Sequence, residues 1–153
     1  VLRPFQVGDY VSAGGIEGTV LELGLFGTAL TTPDNVRTIV GNGKIMGSDI
    51  KNFSANAYRR VDLVAQLAGS ADVNHAIALL KEAVAKVAHI DASQPVDVEI
   101  LEFNEFGPKL AVRPYCNNKD YWQVYFDTNK TIADTLGSAG FPVATRPVKV
   151  YPV

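Results

Sequence analysis

The chain has 153 residues, 47% of them apolar, with a formal net charge of -2 and a sequence pI of about 5.6. That size buries roughly 68–70% of the surface an unfolded chain exposes, enough for one ordinary domain or two small ones. The balanced charge sets up no field drawing the protein to nucleic acid or anionic lipid, and a single cysteine, Cys116, excludes an internal disulfide and a Cys-based zinc cluster and suits a reducing compartment.

The start, Val1 to Phe5, has neither the basic head nor the long apolar centre of a signal peptide. It does not begin with Met, and the natural protein is expected to extend upstream. No apolar run reaches the ~18 residues of a spanning helix. The longest helical pattern, Ala71 to Ala88, carries Asp72, Lys81, Glu82 and Lys86.

From Arg3 to Ser54, glycines or turn residues punctuate β-rich runs every few residues and leave no room for a long helix. Val7 to Val11 opens as a turn into a strand, and Gly14-Gly15 signals a tight turn. Ile16 to Leu23 alternates, with Ile16, Gly18, Val20 and Glu22 on one face and Glu17, Thr19, Leu21 and Leu23 on the other. Gly24 and Gly27 interrupt the next run, as barrel corners require. Thr28 to Thr32 is a strand that ends at the turn Pro33-Asp34-Asn35. Val36 to Val40 returns, Gly41-Asn42-Gly43 turns again, and Ile50 to Phe53 is a last short strand. Five short strands in this compass predict a small SH3-like or Sm-like barrel.

The rhythm lengthens after Ala55. Arg60 to Leu67 reads as a strand with Val61, Leu63, Ala65 and Leu67 on one face. Val73, Ala76, Ile77, Leu80, Val84 and Val87 form a helical stripe, which Ser70 or Asp72 can cap. Val96, Val98 and Ile100 alternate along a half-buried strand. Asn104 to Pro108 turns, and Leu110 and Val112 carry the partner strand, where Pro114 belongs at an edge or bulge. A second helix is expected over Asp120 to Ala139, with Trp122, Tyr125, Phe126, Asn129, Ile132, Ala133 and Leu136 on one face. Gly140 fits its C-terminal cap. Arg146 to Tyr151 reads as a short closing strand. The order from Arg60 is β-α-β-β-α-β, a ferredoxin-like arrangement. The fold class is therefore α+β, with a β domain over 1–55, a ferredoxin-like domain over 56–144 and a terminal strand within 145–153.

Catalytic chemistry finds little support. His75 and His89 are the only imidazoles and read as solvated groups, in the first turn of the first helix and just past its end, without a nucleophile elbow. Asp72 and His75 share a helix face, but two ligands make no metal site and capping explains Asp72. Cys116 reads as a buried, inert thiol. Gly41-Asn42-Gly43-Lys44 lacks the spacing and the Ser/Thr of a phosphate loop. Tyr121-Trp122 and Tyr125-Phe126 read as core rather than a stacking platform. In the barrel, Arg3, Arg37, Lys44 and Lys51 are offset by Asp9, Glu17, Glu22, Asp34 and Asp49, which argues against RNA.

Four stretches carry a resemblance: Arg3 to Val11, Gly15 to Val20, Thr31 to Val36, and Asn42 to Ile45 followed by Ile50 to Ser54. They resemble the soluble part of the family of mechanosensitive channels of small conductance. Arg59-Arg60 and the β-α-β-β-α-β order resemble that family's second domain. Gly41-Asn42 stands where the family usually has Pro-Asn, which implies a more flexible loop. The resemblance implies no enzyme and no cofactor. It implies the cytoplasmic cage of a tension-gated channel in a bacterial inner membrane, releasing ions and small osmolytes on hypo-osmotic shock. Seven copies would close a ring beneath membrane helices encoded upstream. The Asn42, Gly43 and Lys44 loop would face the pore helix, and Val148, Lys149, Val150 and Tyr151 would supply one strand of an axial barrel. The alternative is a soluble ligand-binding regulatory module, since ferredoxin-like domains often hold small effectors.

Overall fold

A computed structural model describes residues 4–153; Arg3, which opens the first motif, lies outside the described residues. The chain forms two compact units, Val1–Ala57 and Tyr58–Val153.

The first unit is one antiparallel sheet of five strands: β1 (Tyr10–Ala13), β2 (Ile16–Leu23), β3 (Gly27–Thr31), β4 (Arg37–Gly41) and β5 (Lys51–Asn52), in the order β4-β3-β2-β1-β5. A bulge between Val20 and Glu22 bends β2. The sheet wraps a core of Phe5, Val11, Ala13, Val20, Leu30, Val40 and Ile45. The alternation predicted for β2 holds from Ile16 to Leu21, since Val20 is buried and Glu17 and Leu21 are exposed, but past the bulge Leu23, expected on the outer face, packs on the core. The tight turn expected at Gly41-Asn42-Gly43 is instead the entry to a five-residue helix, α1 (Asn42–Met46). One turn of helix is what folds Ile45 down into the core, where it is buried.

The second unit is built from β6 (Arg59–Arg60), β7 (Leu63–Gln66), α2 (Val73–Ala85), β8 (Asp97–Asn104), β9 (Gly107–Arg113), β10 (Tyr115–Cys116), a 3-10 turn (Asn118–Asp120) and α3 (Tyr121–Ser138). Its main sheet runs β7-β9-β8, with both pairings antiparallel, and β6 pairs β10 in a short ribbon. The strand expected over Arg60 to Leu67 is thus split at Val61-Asp62. Pro114 sits opposite the split and has no N–H for the ladder, so only its carbonyl is used, accepting from Val61 N at 2.8 Å.

Both helices pack on the sheet. On α2, Ala76, Leu80 and Val84 are buried as their spacing predicts, and the Asp72 carboxylate caps the helix by accepting from His75 N at 3.1 Å. On α3 the buried residues are Val124, Thr128 and Ile132, with Tyr121, Tyr125 and Leu136 partly buried beside them. That stripe is turned by about a quarter of the helix circumference from the expected one. Trp122, Phe126, Asn129 and Ala133 lie outside it. The slender Val124 and Thr128 let the helix backbone approach the sheet, and the bulky indole and phenyl rings are excluded.

α3 ends in a Schellman motif. Gly140, at φ 77°, donates to the Gly137 carbonyl at 3.2 Å, and Phe141 N donates to the Leu136 carbonyl at 3.1 Å. Phe141 then packs on the core and stacks against His75, ring centroids 5.6 Å apart. Beyond it the chain forms no helix or strand. The strand expected at Arg146 to Tyr151 does not form within the single chain. A strand requires a ladder partner, and neither β7 nor β8 pairs with this segment on its free edge. The architecture is α+β with antiparallel sheets.

Candidate functional site

One end of the first unit combines a clamped loop with exposed apolar side chains. The Leu25-Phe26 tip between β2 and β3 is tied to the start of α1 by a single residue. Asn42 N donates to the Phe26 carbonyl at 2.9 Å, and Asn42 Nδ2 donates to the Leu25 carbonyl at 2.7 Å. Two backbone acceptors of the loop are thereby satisfied by one asparagine, which fixes the tip against the helix. Leu25, Phe26 and Met46 are each 83% exposed and Ile39 is 72% exposed. Ile39 borders the tip: its Cγ2 comes within 3.3 Å of where a Cβ on Gly27 would sit. Single exposed apolar residues are ordinary, but a grouped set is the informative case.

Asn42, Gly43 and Lys44, singled out by resemblance, all lie on α1 and are exposed. Nothing stands within 4 Å of a Cβ built on Gly43, so its backbone is open to approach. Leu25, Phe26, Ile39 and Met46 were not singled out from the sequence. The signal that could have found them is Gly24-Leu25-Phe26-Gly27, two large apolar residues in a connection that should be polar. Val148, Lys149, Val150 and Tyr151 lie on the terminal segment, all exposed, with Lys149 Nζ 5.2 Å from the centre of the Tyr151 ring.

The two histidines and the cysteine of the second unit sit in structural contacts. His89 Nδ1 is 3.9 Å from Asp120 Oδ1, and His75 is stacked on Phe141. Cys116 is buried, and burial first, then the charge of Asp120, pushes its thiol up to about 11, so it stays protonated at neutral pH. Among the described residues no group of three His, Cys, Asp or Glu side chains could hold a metal. A cleft of about 510 Å³ lies between Ser70, Asn104, Phe106, Val143 and Pro147, and its carboxylate, Glu105, is ion-paired with Arg146 at 3.1 Å. No helix among the described residues is long and apolar enough to cross a membrane.

Residues 1–55 match the family model described as the beta-domain of mechanosensitive ion channels. The small-conductance mechanosensitive channel of Edwardsiella ictaluri is 35% identical over 153 residues, covering 99% of this chain and 54% of its own length. The chain thus spans about half the length of the curated relatives it matches. The fold matches the closed-state crystal structure of MscS from Helicobacter pylori with a TM-score of 0.90 at 22% identity, over all of this chain and 61% of that one. Arabidopsis thaliana MSL1 matches with a TM-score of 0.72 over 94% of this chain and 54% of that one. The chain belongs to the MscS family of mechanosensitive channels.

Proposed function

We propose that this chain is the cytoplasmic part of a tension-gated channel in a bacterial inner membrane, which releases ions and small osmolytes on hypo-osmotic shock. The observation that carries this reading is the clamped apolar end of the first unit in a member of a channel family. Side chains as large as Phe26 and Met46 gain about 1.5–3 kcal/mol each when covered. A pore helix arriving from the membrane would cover them, with Gly43 allowing close approach and Lys44 at the rim. The chain performs no catalysis in this role and needs no cofactor, and nucleic acid is not its partner.

Its partner is itself, as a homoheptamer. The first unit leaves β4 and β5 as free edges, and so small a sheet gains from pairing across copies. We read that unit as a Sm-like barrel, because β1 pairs with both β2 and β5. The second unit is read as ferredoxin-like, because β9 lies between β7 and β8, the order of a split βαβ unit. Its missing last strand would then be the segment from Val148 to Tyr151, pairing with its copies around an axis.

The test uses the complete gene product in cells stripped of mechanosensitive channels. Membrane patches should show currents that switch on with suction, and the cells should survive a sudden fall in external osmolarity. Phe26→Asp should raise the tension needed for opening or abolish the current. Correctly inserted protein that passes no current at any tension short of patch rupture would overturn the reading.

A further inference from the structure

The second unit exposes two apolar surfaces, one flanked by lysines and the other by carboxylates. On α3, Trp122 and Phe126 are 50% and 60% exposed, and their rings stack at 5.8 Å between centroids. Tyr121 and Tyr125 brace Trp122 at 5.1 and 5.2 Å, so the aromatic ridge is rigid before anything binds. Lys119, one turn before Trp122, and Lys130, one turn after Phe126, flank the ridge. Asp127 and Asp134 lie further round the helix, on the side of Gln123, whose amide donates to Asp127 at 3.0 Å.

The other surface is β8. It ends the sheet order, so its outer edge carries no partner strand. Val98 is its only buried residue, while Ile100, Leu101 and Phe103 are exposed, Phe103 at 73%. A bulge between Ile100 and Glu102 breaks the ladder in this stretch. Asp97, Glu99, Glu102 and Glu105 surround it. Glu102 and Glu105 are paired with Lys109 and Arg146, and among the described residues Asp97 and Glu99 make no ion pair.

We propose that the Trp122–Phe126 ridge of one copy docks on the Ile100–Phe103 face of β8 in the next copy, with Lys119 and Lys130 against the β8 carboxylates. This rests on the self-assembly reading above and names its contact in the second unit. Pairing like with like is disfavoured, because two ridges would oppose lysines and two β8 strands would oppose carboxylates. Two different patches meeting head to tail generate a ring when the rotation closes. The aromatic pair supplies the anchor and the charges set the register.

Trp122 is the only tryptophan, so tryptophan emission reports the surroundings of this ridge. The test follows emission and sedimenting mass of the 153-residue chain against concentration. Association should shift the emission to the blue as mass rises. The variant K119E/K130E, and separately E99K/E105K, should each raise the dissociation constant about tenfold or more, and less so in high salt. The chain carrying all four changes should return to within about threefold of the parent. Phe126→Ser should weaken association at least about tenfold with unchanged circular dichroism. A chain that assembles yet ignores both charge reversals, or is not restored by combining them, overturns this docking and leaves assembly standing. A monomer at about 1 mM with constant emission overturns both.

Discussion

The two units keep their apolar residues from water by different means. In the first, strands of two to eight residues curl a sheet around a small core, and the only helix among the described residues is five residues long. In the second, two helices of 13 and 18 residues lie on a three-stranded sheet and share a larger core with it. A small bent sheet has little room inside, so large side chains are left at its turns and on its one short helix, as at Leu25, Phe26 and Met46. A helix layer instead divides each helix into a hidden and a free face, and what the sheet does not accept, such as Trp122, is left outside. The lesson is that surplus apolar surface arises at the tips of one unit and along the ridges of the other.

The sharpest way to break the second unit alone is Gly107→Ala. Gly107 has φ 142°, and a Cβ there would stand 2.6 to 2.7 Å from the backbone of Gly69, Ala68 and Leu67. No flexible side chain can yield, so about 3–5 kcal/mol is expected to be lost, read as a lower urea midpoint of the second unit. Next come paired core truncations. Leu30→Ala in the first core and Leu80→Ala in the second should each cost about 2–5 kcal/mol. If the units unfold separately, each substitution moves one transition, and a single shared transition would show them to be one cooperative body. Asp72→Ala should cost about 1 kcal/mol by removing the cap of α2, again in the second unit only. The subtlest difference is a pH slope. The Cys116 thiol titrates near 11 when folded and near 9.0 when not. Between these values the unfolded chain has lost the proton and the folded one has not, so stability is full below about 9 and falls as pH rises to about 11. Cys116→Ala should flatten that part of the stability–pH curve relative to the parent.

Much of this contrast was legible in the sequence. Turn residues spaced too closely for helices marked the first unit, and the stripe from Val73 to Val87 found α2 with its cap at Asp72. On α3 the sequence pattern favours the face of Trp122 and Phe126 over that of Val124 and Thr128, because large apolar rings dominate a helical stripe. Packing against a sheet instead selects for small girth, which periodicity does not encode. The short helix α1 hides behind Gly41-Asn42-Gly43, which carries turn chemistry, and only the burial of Ile45 favours a helix there. At the candidate site, resemblance pointed to Asn42, Gly43 and Lys44. The apolar tip that Asn42 braces lies some 17 residues earlier, at Leu25, a separation that no local pattern spans.

The cap at Gly140 has a consequence for everything after it. With Phe141 pinned in the core, Val148 is tethered by seven links, a reach of about 25 Å at full stretch. The tail is a short leash with a fixed post, and whatever edge it joins must come within that radius. Lengthening the leash between Pro142 and Pro147 would widen the choice of neighbours, and shortening it would narrow the choice to none.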